Sequence, residues 1–513
     1  MSSAKILMLI AMIAYLATMV GIGIKFSNKN KTMGDFYLGG RKLGPLVTAM
    51  SAEASDMSSY LLMGLPGLAY LTGLADVGWT VIGLAAGTYL NWLIVSKRLR
   101  IYSEKTKSIT IPEFFSNRYG DKKKSLTLIA AAWIIVFFVP YTASGFAACG
   151  KLFNSLFGID YHLAMIISAI VIIAYTMLGG FLAASTTDFI QSIIMTVALF
   201  IVLGFGVYVA GGMDNVIENA SGLAGYLSFT QTHDPTTGAA QPYTFLNIVS
   251  TVAWGLGYFG MPHILLRFMA IEDAEKLKTS RRVGTIWVII AMGISVMIGV
   301  IGLALSDNGS IGALQGSGSE TVIIEIASLL SQNGWFLAII AGIILSGILA
   351  STMSTSDSQL LAASSSVTND ILVGVFKRKI SEKKLLLISR LSLVAIAVIG
   401  VFLAWDPDSS VFQIVSFAWA GFGAAFGPVV LLALFWKRSN FYGALSGMLV
   451  GGAMVFIWKF AVRPLGGAFN IYELLPAFLI AIGVNVIVSL CTKKPDAEVL
   501  ATFDEVKNYK KHA

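Results

Sequence analysis

The sequence predicts an all-α protein that is embedded in a membrane and crosses it about thirteen times. Apolar residues make up 56% of the 513 positions, charged residues only 12%, and the mean hydropathy is +0.77. These values lie far outside those of soluble globular domains. Apolar runs of about 18 residues or more recur along the chain, and each can form a helix that spans ~30 Å of hydrocarbon. Two of these runs are interrupted by polar or glycine-rich residues.

Thirteen apolar runs follow one another with short connections. They lie near residues 6–24, 44–73, 76–96, 126–156, 161–180, 187–211, 245–268, 284–306, 335–366, 385–404, 411–436, 441–462 and 472–491. The first run is too long for the apolar core of a signal peptide, so we expect a retained helix in a chain that begins near Met1. Counted from the first interrupted run, spans two to six and seven to eleven form two sets of five. Because five is odd, the two sets have opposite topology, as in an inverted repeat with extra terminal helices.

Basic residues concentrate in alternate connections. The connections that hold 32 of the 36 Lys and Arg residues are 25–42, 97–124, 267–282, 377–390, 437–438 and 493–511. The opposite side holds Lys5, Lys151, Lys459 and Arg463. The positive-inside rule therefore predicts a multi-pass protein of the cytoplasmic membrane with its N-terminus outside and its C-terminus in the cytoplasm. The positive-inside bias accounts for most of the net charge of +8, and the basic side also suits contact with the anionic lipids of the bilayer. No nucleic-acid partner is therefore predicted.

The predicted organisation has six parts. They are an N-terminal helix and cytoplasmic loop (1–43), a first five-helix repeat (44–211), an extracellular loop (212–244), a second five-helix repeat (245–437), two C-terminal helices (438–491) and a cytoplasmic tail (492–513). The tail is too short to form a further domain. The oligomeric state is left open.

The two interrupted runs contain SAEASDMSS at 51–59 and WGLGYFGMP at 254–262. Such backbone is tolerated at membrane depth only where it is buried in protein or faces a watery cavity, because lipid cannot hydrogen-bond the freed N–H and C=O groups. One such break in each half of the chain is typical of the midplane substrate and ion site of a secondary transporter.

Asp56 lies inside the first interrupted run, where an unpaired carboxylate costs ~3 kcal/mol on insertion scales. Ser51, Ser55, Ser58 and Ser59 surround it in the sequence. Carboxylate, hydroxyl and freed carbonyl oxygens are the ligands that a hard monovalent cation prefers. The alternative is that Asp56 caps a half-helix or pairs with an arginine, and capping is compatible with ion binding.

A column of hydroxyl groups lies in the ninth run. Ser351, Ser354, Thr355 and Ser358 have the spacing i, i+3, i+4 and i+7, so that one helix face presents all four. This face suits a cation, although Ser and Thr also favour close helix packing in membranes. Asp188, where the sixth span begins, is either an N-cap or a station on the path by which a cation leaves.

Trp254 and Tyr258 lie four residues apart at the second break, hence on one helical face. An aromatic wall with a small polar rim suits a compact, partly apolar zwitterion. The alternative is that these rings serve in packing or as interface anchors.

No enzyme function is predicted. The sequence has no P-loop, no His/Cys/Glu metal pattern and no Ser/His/Asp constellation with supporting spacing. The two cysteines lie in apolar runs and are interpreted as packing residues.

Eight motifs resemble those of the sodium/solute symporter family, and within it the bacterial sodium/proline symporters. They are YLGGR (37–41), ASDMS (54–58), LMGLPG (62–67), IPEFF (111–115), WGLGYFG (254–260), PH (262–263), MST (353–355) and WAGFGAAFGP (419–428). They follow the family's order from about residue 35 to beyond 430, so the resemblance covers nearly the whole chain. It implies a LeuT-type 5+5 inverted repeat, Na⁺ as the coupling ion without a cofactor, and uptake of L-proline by alternating access.

The resemblance also implies roles for particular residues. The implied sodium-binding residues are Ala54 and Met57 through their backbone oxygens, Ser351, Ser354 and Thr355, and also Asp56 and Asp188. The implied substrate-binding residues are Ser58, Ser59, Tyr141, Trp254, Tyr258 and Pro262.

Two carboxylates depart from the pattern of close relatives. Glu53 stands where these relatives carry glycine, and Asp357 stands where they carry an uncharged residue. Glu53 lies one helical turn from Asp56, and two carboxylates that close need a cation or a proton between them. Glu53 and Asp357 are therefore predicted modifiers of the coupling, unless Glu53 points away toward a backbone donor or a basic residue. A symporter of another small amino acid or carboxylate, coupled to Na⁺ or H⁺, stays an alternative, and an ion channel is less favoured.

Overall fold

The computed structural model describes residues 2–27 and 32–509, which are predominantly helical. The predicted start at Met1, the basic residues Lys29 and Lys31 and the last four residues of the tail lie outside the described residues. The first half contains α1 (Ser3–Ser27), α2 (Met33–Leu38), α3 (Pro45–Ser59), α4 (Leu65–Thr72), α5 (Leu74–Leu90), α6 (Ser96–Lys105), α7 (Ile111–Arg118), α8 (Ser125–Phe157), α9 (Tyr161–Val209) and α10 (Met213–Ser221).

The second half begins with a short hairpin of two strands and continues with ten helices. These elements are β1 (Gln231–His233), β2 (Ala240–Pro242), α11 (Phe245–Val252), α12 (Pro262–Ala270), α13 (Leu277–Asp307), α14 (Val322–Ser331), α15 (Trp335–Ser365), α16 (Glu382–Leu403), α17 (Val411–Phe435), α18 (Phe441–Ile457), α19 (Leu474–Cys491) and α20 (Ala497–Lys507). Four π-helical segments occur at Tyr60–Gly64, Asn91–Val95, Ser366–Val375 and Trp458–Val462. Short 3₁₀ turns occur at Gly39–Arg41, Ala253–Phe259, Ala274–Lys276, Gly316–Thr321, Arg463–Leu465 and Gly467–Phe469.

Ten helical segments of the described chain are long and apolar enough to cross a membrane, and the bent pair α11 and α12 makes up to eleven. Helix α9 has 49 residues, a length of ~73 Å, which exceeds twice the ~30 Å of hydrocarbon. The span formed by α3 and α4 is broken at Ser58. The multi-pass helical class is confirmed, whereas the number thirteen stays a prediction.

Helix α9 folds back on itself at Gly180. This residue has φ 63° and ψ −170°, a conformation that an L side chain rarely adopts. The hydroxyls of Tyr175 and Thr187 form a hydrogen bond across the turn. Twelve residues of straight helix would separate them by ~18 Å. The helix is therefore two spans joined by a turn without a loop.

Helix α15 lies at the centre of the bundle and packs against α9, α1, α8 and α3. Its polar positions are buried as completely as its apolar ones, including Ser351, Ser354 and Asp357. The segment 344–365 is buried almost throughout, so its polar face lies in the protein interior, whereas Trp335 and Phe336 at the start of the helix are exposed. By contrast, α1 exposes Ile6, Ile10 and other large apolar side chains on its outer side, as expected for a helix that faces lipid.

The connections contain more structure than the sequence predicted. The segment 212–244 holds α10 and the antiparallel β1–β2 hairpin, the connection 307–333 holds α14, and the tail contains α20. We call the side with α10, the hairpin and α14 the polar face, and the side with α6, α7 and α20 the basic face. The six-part organisation predicted from the sequence stays a prediction.

Candidate functional site

The first helix break lies at Ser58. Its φ of 49° and ψ of −168° are rare for a residue with a side chain, and the π-helical turn Tyr60–Gly64 follows. Ser58 Oγ accepts the N–H of Tyr60 at 3.1 Å. The break thus releases backbone groups from regular helical pairing, while the serine side chain satisfies one of them.

The second break is the 3₁₀ turn Ala253–Phe259, which joins α11 and α12 at a bend of 44°. The indole N–H of Trp419 donates to the carbonyl of Trp254 at 2.8 Å. A Cβ at Gly257 would lie 1.9 Å from Trp419 Nε1, so only glycine permits this approach. The turn is therefore held directly against α17.

The two breaks meet at Asp56, which is 5% exposed. The phenol of Tyr258 donates to Asp56 Oδ2 at 2.5 Å, and the phenol of Tyr141 donates to the Asp56 carbonyl at 3.2 Å. Among the described residues, Asp56 Oδ1 has no hydrogen-bond partner. A buried carboxyl group with a spare acceptor oxygen thus lies between the two halves of the chain.

The hydroxyl column of α15 contacts α3 on another side. Ser354 Oγ donates to the carbonyl of Ala54 at 2.8 Å, and Ser354 and Thr355 also donate to the carbonyl of Ser351 at 3.2 and 3.1 Å. The carbonyl of Met57 lies at the break. The structure brings Ala54, Ser351, Ser354 and Thr355 together as a contiguous set of oxygens of the kind that a monovalent cation prefers.

A small cavity lies beside the first break. Its walls are Asp56, Met57, Tyr60, Leu84, Tyr141, Trp254, Met292, Val415 and Trp419. The free space between these side chains is only ≈ 10 Å³, room for about one water molecule, so the walls must move apart to admit a solute. Aromatic and aliphatic walls around one carboxylate suit a compact solute that carries both an apolar body and a cationic group.

A vestibule of ≈ 1130 Å³ opens toward the polar face, and Trp254 lines both this vestibule and the small cavity. The Trp254 ring stacks on Tyr472 at 4.9 Å between centroids and contacts Phe412 at 5.6 Å and Tyr60 at 5.9 Å. We call these four rings the aromatic partition. They separate the cavity from the vestibule.

A buried ion pair lies on the opposite side, toward the basic face. Arg267 Nη2 lies 3.1 Å from Asp188 Oδ2, and the two side chains are 1% and 0% exposed. Ser51 Oγ donates to Asp188 Oδ2 at 2.6 Å and accepts from Arg267 Nε at 3.0 Å, while Arg267 Nη2 also donates to Ser358 Oγ at 2.5 Å. We call these four residues the ion-pair cluster, which joins α3, α9, α12 and α15.

Asp188 does not cap a helix. It lies eight residues beyond the turn at Gly180, within the second arm of α9, so the N-cap interpretation of this residue is wrong. Asp188 Oδ1 has no hydrogen-bond partner in the described part of the chain. Asp188 therefore pairs with Arg267 through Oδ2, and its Oδ1 can still accept a hydrogen bond or bind a cation.

Glu53 and Asp357 are both buried but lie in different surroundings. Glu53 Oε1 accepts the indole N–H of Trp92 at 2.7 Å, and a Cβ at Gly284 would lie 2.8 Å from the same oxygen. Glu53 thus faces α5 and α13, and its donor is neither a backbone group nor a basic residue. Asp357 Oδ1 accepts from Ser358 at 3.1 Å, which places it next to the ion-pair cluster.

The remaining predicted residues do not all share one site. Pro262 lines a second, narrow cavity of ≈ 30 Å³, together with Arg267 and Ser358, and does not line the small cavity with Trp254. Ser59 is fully buried. Tyr258 reaches the small cavity through its hydrogen bond to Asp56.

Sequence reasoning missed Arg267, Trp419 and Trp92 as site residues. It counted Arg267 with the loop cations, but Arg267 lies within α12 and is buried. Its position in the apolar segment PHILLRFMA could have revealed this, because an arginine at membrane depth needs a partner. Trp419 belongs to the WAGFG motif, whereas no sequence signal connects Trp92 with Glu53.

Two broken helices that meet inside a multi-pass helical bundle define a secondary transporter of the LeuT-type fold. The chain belongs to the sodium:solute symporter family, whose sequence model matches residues 36–451. It is 43% identical to the sodium/proline symporter of Haemophilus influenzae over 98% of both chains. It is 42% identical to the high-affinity proline transporter PutP of Bacillus subtilis, over 96% of this chain and 99% of that one.

Two solved structures share the fold. A Na⁺-coupled sialic acid symporter in a substrate-bound outward-open state has a TM-score of 0.76 at 17% identity, over 96% of this chain and 99% of the other. A transporter of the nucleobase-cation-symport-1 family in a closed conformation has a TM-score of 0.54 at 13% identity, over 92% and 98% of the two chains. At these identities the likeness concerns the fold alone.

Proposed function

We propose that this protein takes up L-proline by coupling its entry to the inward flow of Na⁺. The family membership and the names of two relatives that match nearly the full chain support this function. The observation that carries it is the meeting of the two helix breaks at Asp56, beside a small cavity with aromatic walls and a contiguous set of hydroxyl and carbonyl oxygens. This arrangement provides places for a compact solute and for a cation within one hydrogen-bonded network.

Na⁺ is proposed to bind between α3 and α15, at the oxygens of Ala54, Met57, Ser351, Ser354 and Thr355. Because Ala54 and Met57 lie directly before the break at Ser58, an ion at this place would fix the break in one geometry. The cavity next to it would then be shaped for the solute, which is how ion binding raises solute affinity. The reverse holds by linkage, so bound proline would also retain Na⁺.

Proline is proposed to bind in the small cavity, where Tyr141 and Trp254 supply walls and Tyr258 orients Asp56. Ser58 and Ser59 would contribute at the break. The freed carbonyls that end α3 suit the ammonium group of a zwitterion, and the amides that begin the following half-helix suit its carboxylate. The rings suit the apolar body of the pyrrolidine. Pro262, which lies toward the basic face, would act on the inward path and not on the bound solute.

Alternating access would use the two closures that flank the cavity. The wide vestibule on the polar face and the buried ion-pair cluster on the other side describe a conformation that is open toward the polar face as far as the aromatic partition. We place the basic face in the cytoplasm, with the N-terminus outside and the C-terminus inside, because the Lys and Arg bias favours it. One charge that moves inward at 100 mV supplies ~2.3 kcal/mol, and the sodium gradient adds to this.

The proposed role is transport and not catalysis, in keeping with a family of transporters. Uptake of radiolabelled L-proline into proteoliposomes, with Na⁺ and H⁺ gradients imposed separately, tests the proposal. We expect saturable accumulation that requires the Na⁺ gradient. Uptake driven by an H⁺ gradient alone would show that the coupling ion is H⁺ and not Na⁺. Accumulation of a different amino acid or of a carboxylate, but not of proline, would show that the proposed substrate is wrong.

A further inference from the structure

We propose that α3 carries a second Na⁺ site on the side away from the hydroxyl column, formed by Glu53, Asp56, Thr88 and Asn91. This inference rests on the proposed sodium coupling and adds a second coupling ion to it. The first site would be the one between α3 and α15, at Ala54 and Ser354.

The geometry of α3 separates the two sites. Successive residues of an α-helix are rotated by ~100°, so Ala54 points ~160° away from Asp56, whereas Glu53 and Asp56 lie only ~60° apart. The contacts agree: the Ala54 carbonyl accepts from Ser354, Asp56 accepts from Tyr258, and Glu53 accepts from Trp92. The Asp56 carboxylate therefore does not join the oxygens around Ser354.

Thr88, Asn91 and Trp92 present a matching polar face. Their spacing of i, i+3 and i+4 places them on one side of α5 and the π-helical turn that continues it. Two bridges hold this face against α3. In the first, the Trp92 indole donates to Glu53. The second passes through Tyr258: Asn91 Nδ2 donates to its carbonyl at 2.9 Å, and its phenol donates to Asp56. A single π-helical turn inside a longer helix is frequently a feature of functional sites.

Four oxygens of this chamber have no hydrogen-bond partner within residues 2–27 and 32–509. They are Glu53 Oε2, Asp56 Oδ1, Thr88 Oγ1 and Asn91 Oδ1. Their residues are 1%, 5%, 0% and 1% exposed, respectively. Buried polar atoms are almost always hydrogen-bonded, so four unpartnered oxygens on two bridged helix faces indicate a ligand that the polypeptide itself does not supply.

Neither carboxyl group of the chamber, Glu53 or Asp56, is paired with a basic side chain among the described residues. In the described chain, the donors to the two carboxylates are an indole and a phenol, both neutral. The buried cation of the region, Arg267, is paired with Asp188 in the ion-pair cluster. Carboxylate, hydroxyl and amide oxygens are hard ligands, and the set lacks the sulfur and imidazole ligands that transition metals prefer. Na⁺, already required by the proposed coupling, would supply a positive charge beside the two carboxyl groups.

The test is equilibrium binding of ²²Na⁺ to the purified protein in nanodiscs without proline. We expect two Na⁺ per chain for the wild type and one for Glu53→Gln, whose amide oxygen still accepts the Trp92 indole. Thr88→Val removes one proposed ligand oxygen while the side-chain volume is nearly unchanged, and the affinity for the second ion should fall at least tenfold. The matched control Glu272→Gln removes a carboxylate that pairs with Lys276 at the exposed basic face and should bind two ions.

Two Na⁺ in the wild type and one in Glu53→Gln support the site. A single Na⁺ in the wild type, or two ions bound by Glu53→Gln and an unchanged affinity in Thr88→Val, would overturn it. If Glu53→Gln does not assemble, the affinity of Thr88→Val decides in the same way. Failure of sodium-coupled function itself is a separate result, because it appears as absence of Na⁺-driven proline uptake by the wild type, whatever the number of ions bound.

Discussion

The two closures of the small cavity use opposite chemistry. Toward the polar face, the aromatic partition is formed by uncharged rings whose contacts depend on shape. Toward the basic face, the ion-pair cluster is formed by two buried charges that share hydroxyl partners on four helices. Ring contacts are small and graded, whereas a buried charge without its partner is severely destabilising. The difference predicts that the aromatic partition, the outer closure, opens at little cost in free energy. The ion-pair cluster, the inner closure, should open only when another cation takes the place of Arg267 beside Asp188.

Removal of Arg267 should give the largest effect. Arg267→Met would leave Asp188 buried without its cation, which we expect to destabilise the fold by about 3–5 kcal/mol. Thermal unfolding in detergent should show a marked fall in Tm, and Arg267→Met with Asp188→Asn should recover most of it. Arg281→Met, which alters an arginine that lies over the ring of Tyr89, is the matched control. A wild-type Tm in Arg267→Met would contradict the assigned strength of the inner closure.

Loss of the shared ring should have the next largest effect. Trp254→Ala removes stacking with Tyr472 and contacts with Tyr60 and Phe412, each worth ~0.5–1.5 kcal/mol. As a proposed wall of the proline cavity, the ring should contribute ~2 kcal/mol to binding, so we expect proline affinity to fall by roughly 30-fold in Trp254→Ala, while Trp254→Phe keeps most of it. Trp79→Ala, at another aromatic pair, should bind proline normally. Equal affinities in wild type and Trp254→Ala would remove this ring from the cavity wall.

A smaller effect is expected at the oxygens that we propose as Na⁺ ligands. They lie between α3 and α15, the two helices that also contribute to the ion-pair cluster. Ser354→Ala removes one proposed ligand and a hydrogen bond worth ~1 kcal/mol. The Na⁺ concentration for half-maximal uptake should rise about fivefold at saturating proline. Ser346→Ala, whose hydroxyl donates only to the carbonyl of Gly342 in the same helix, should match the wild type. Identical sodium dependence in both variants would favour a packing role for Ser354.

The smallest effect is expected outside the inner closure, where α20 braces the basic face. The ion pair of Lys105 and Glu505 is solvent-exposed, so Glu505→Gln should change stability by less than ~1 kcal/mol. Phe503→Ala should cost more, because this ring is buried and lies 5.1 Å from the guanidinium carbons of Arg98 and Arg118. Thermal unfolding of the two variants side by side measures the difference. The reverse order would mean that charge, and not packing, holds α20.

The sequence predicted most of what depends on periodicity and composition. Hydropathy predicted the multi-pass helical class, and the break at Ser58 followed from polar residues within an apolar run. The contact between Ala54 and Ser354 agrees with the residues grouped by the resemblance. The partners of Glu53 and Asp188 were not predictable, because Trp92 and Arg267 lie 39 and 79 residues away and carry no local pattern that pairs them. A pairing at such separation is decided by how helices pack, and the one-dimensional pattern does not contain this information.

The turn at Gly180 has a consequence for how the chain enters the membrane. No Lys or Arg occurs from residue 152 to residue 266, so neither end of the folded-back α9 carries the charges that normally fix orientation during insertion. The two arms are joined without a loop and hydrogen-bond to each other through Tyr175 and Thr187. They would therefore leave the translocon as one helical hairpin, whose direction is inherited from the basic segments before and after it. We therefore expect the orientation of α9 in the membrane, and with it the position of Asp188, to be set during insertion by the neighbouring spans.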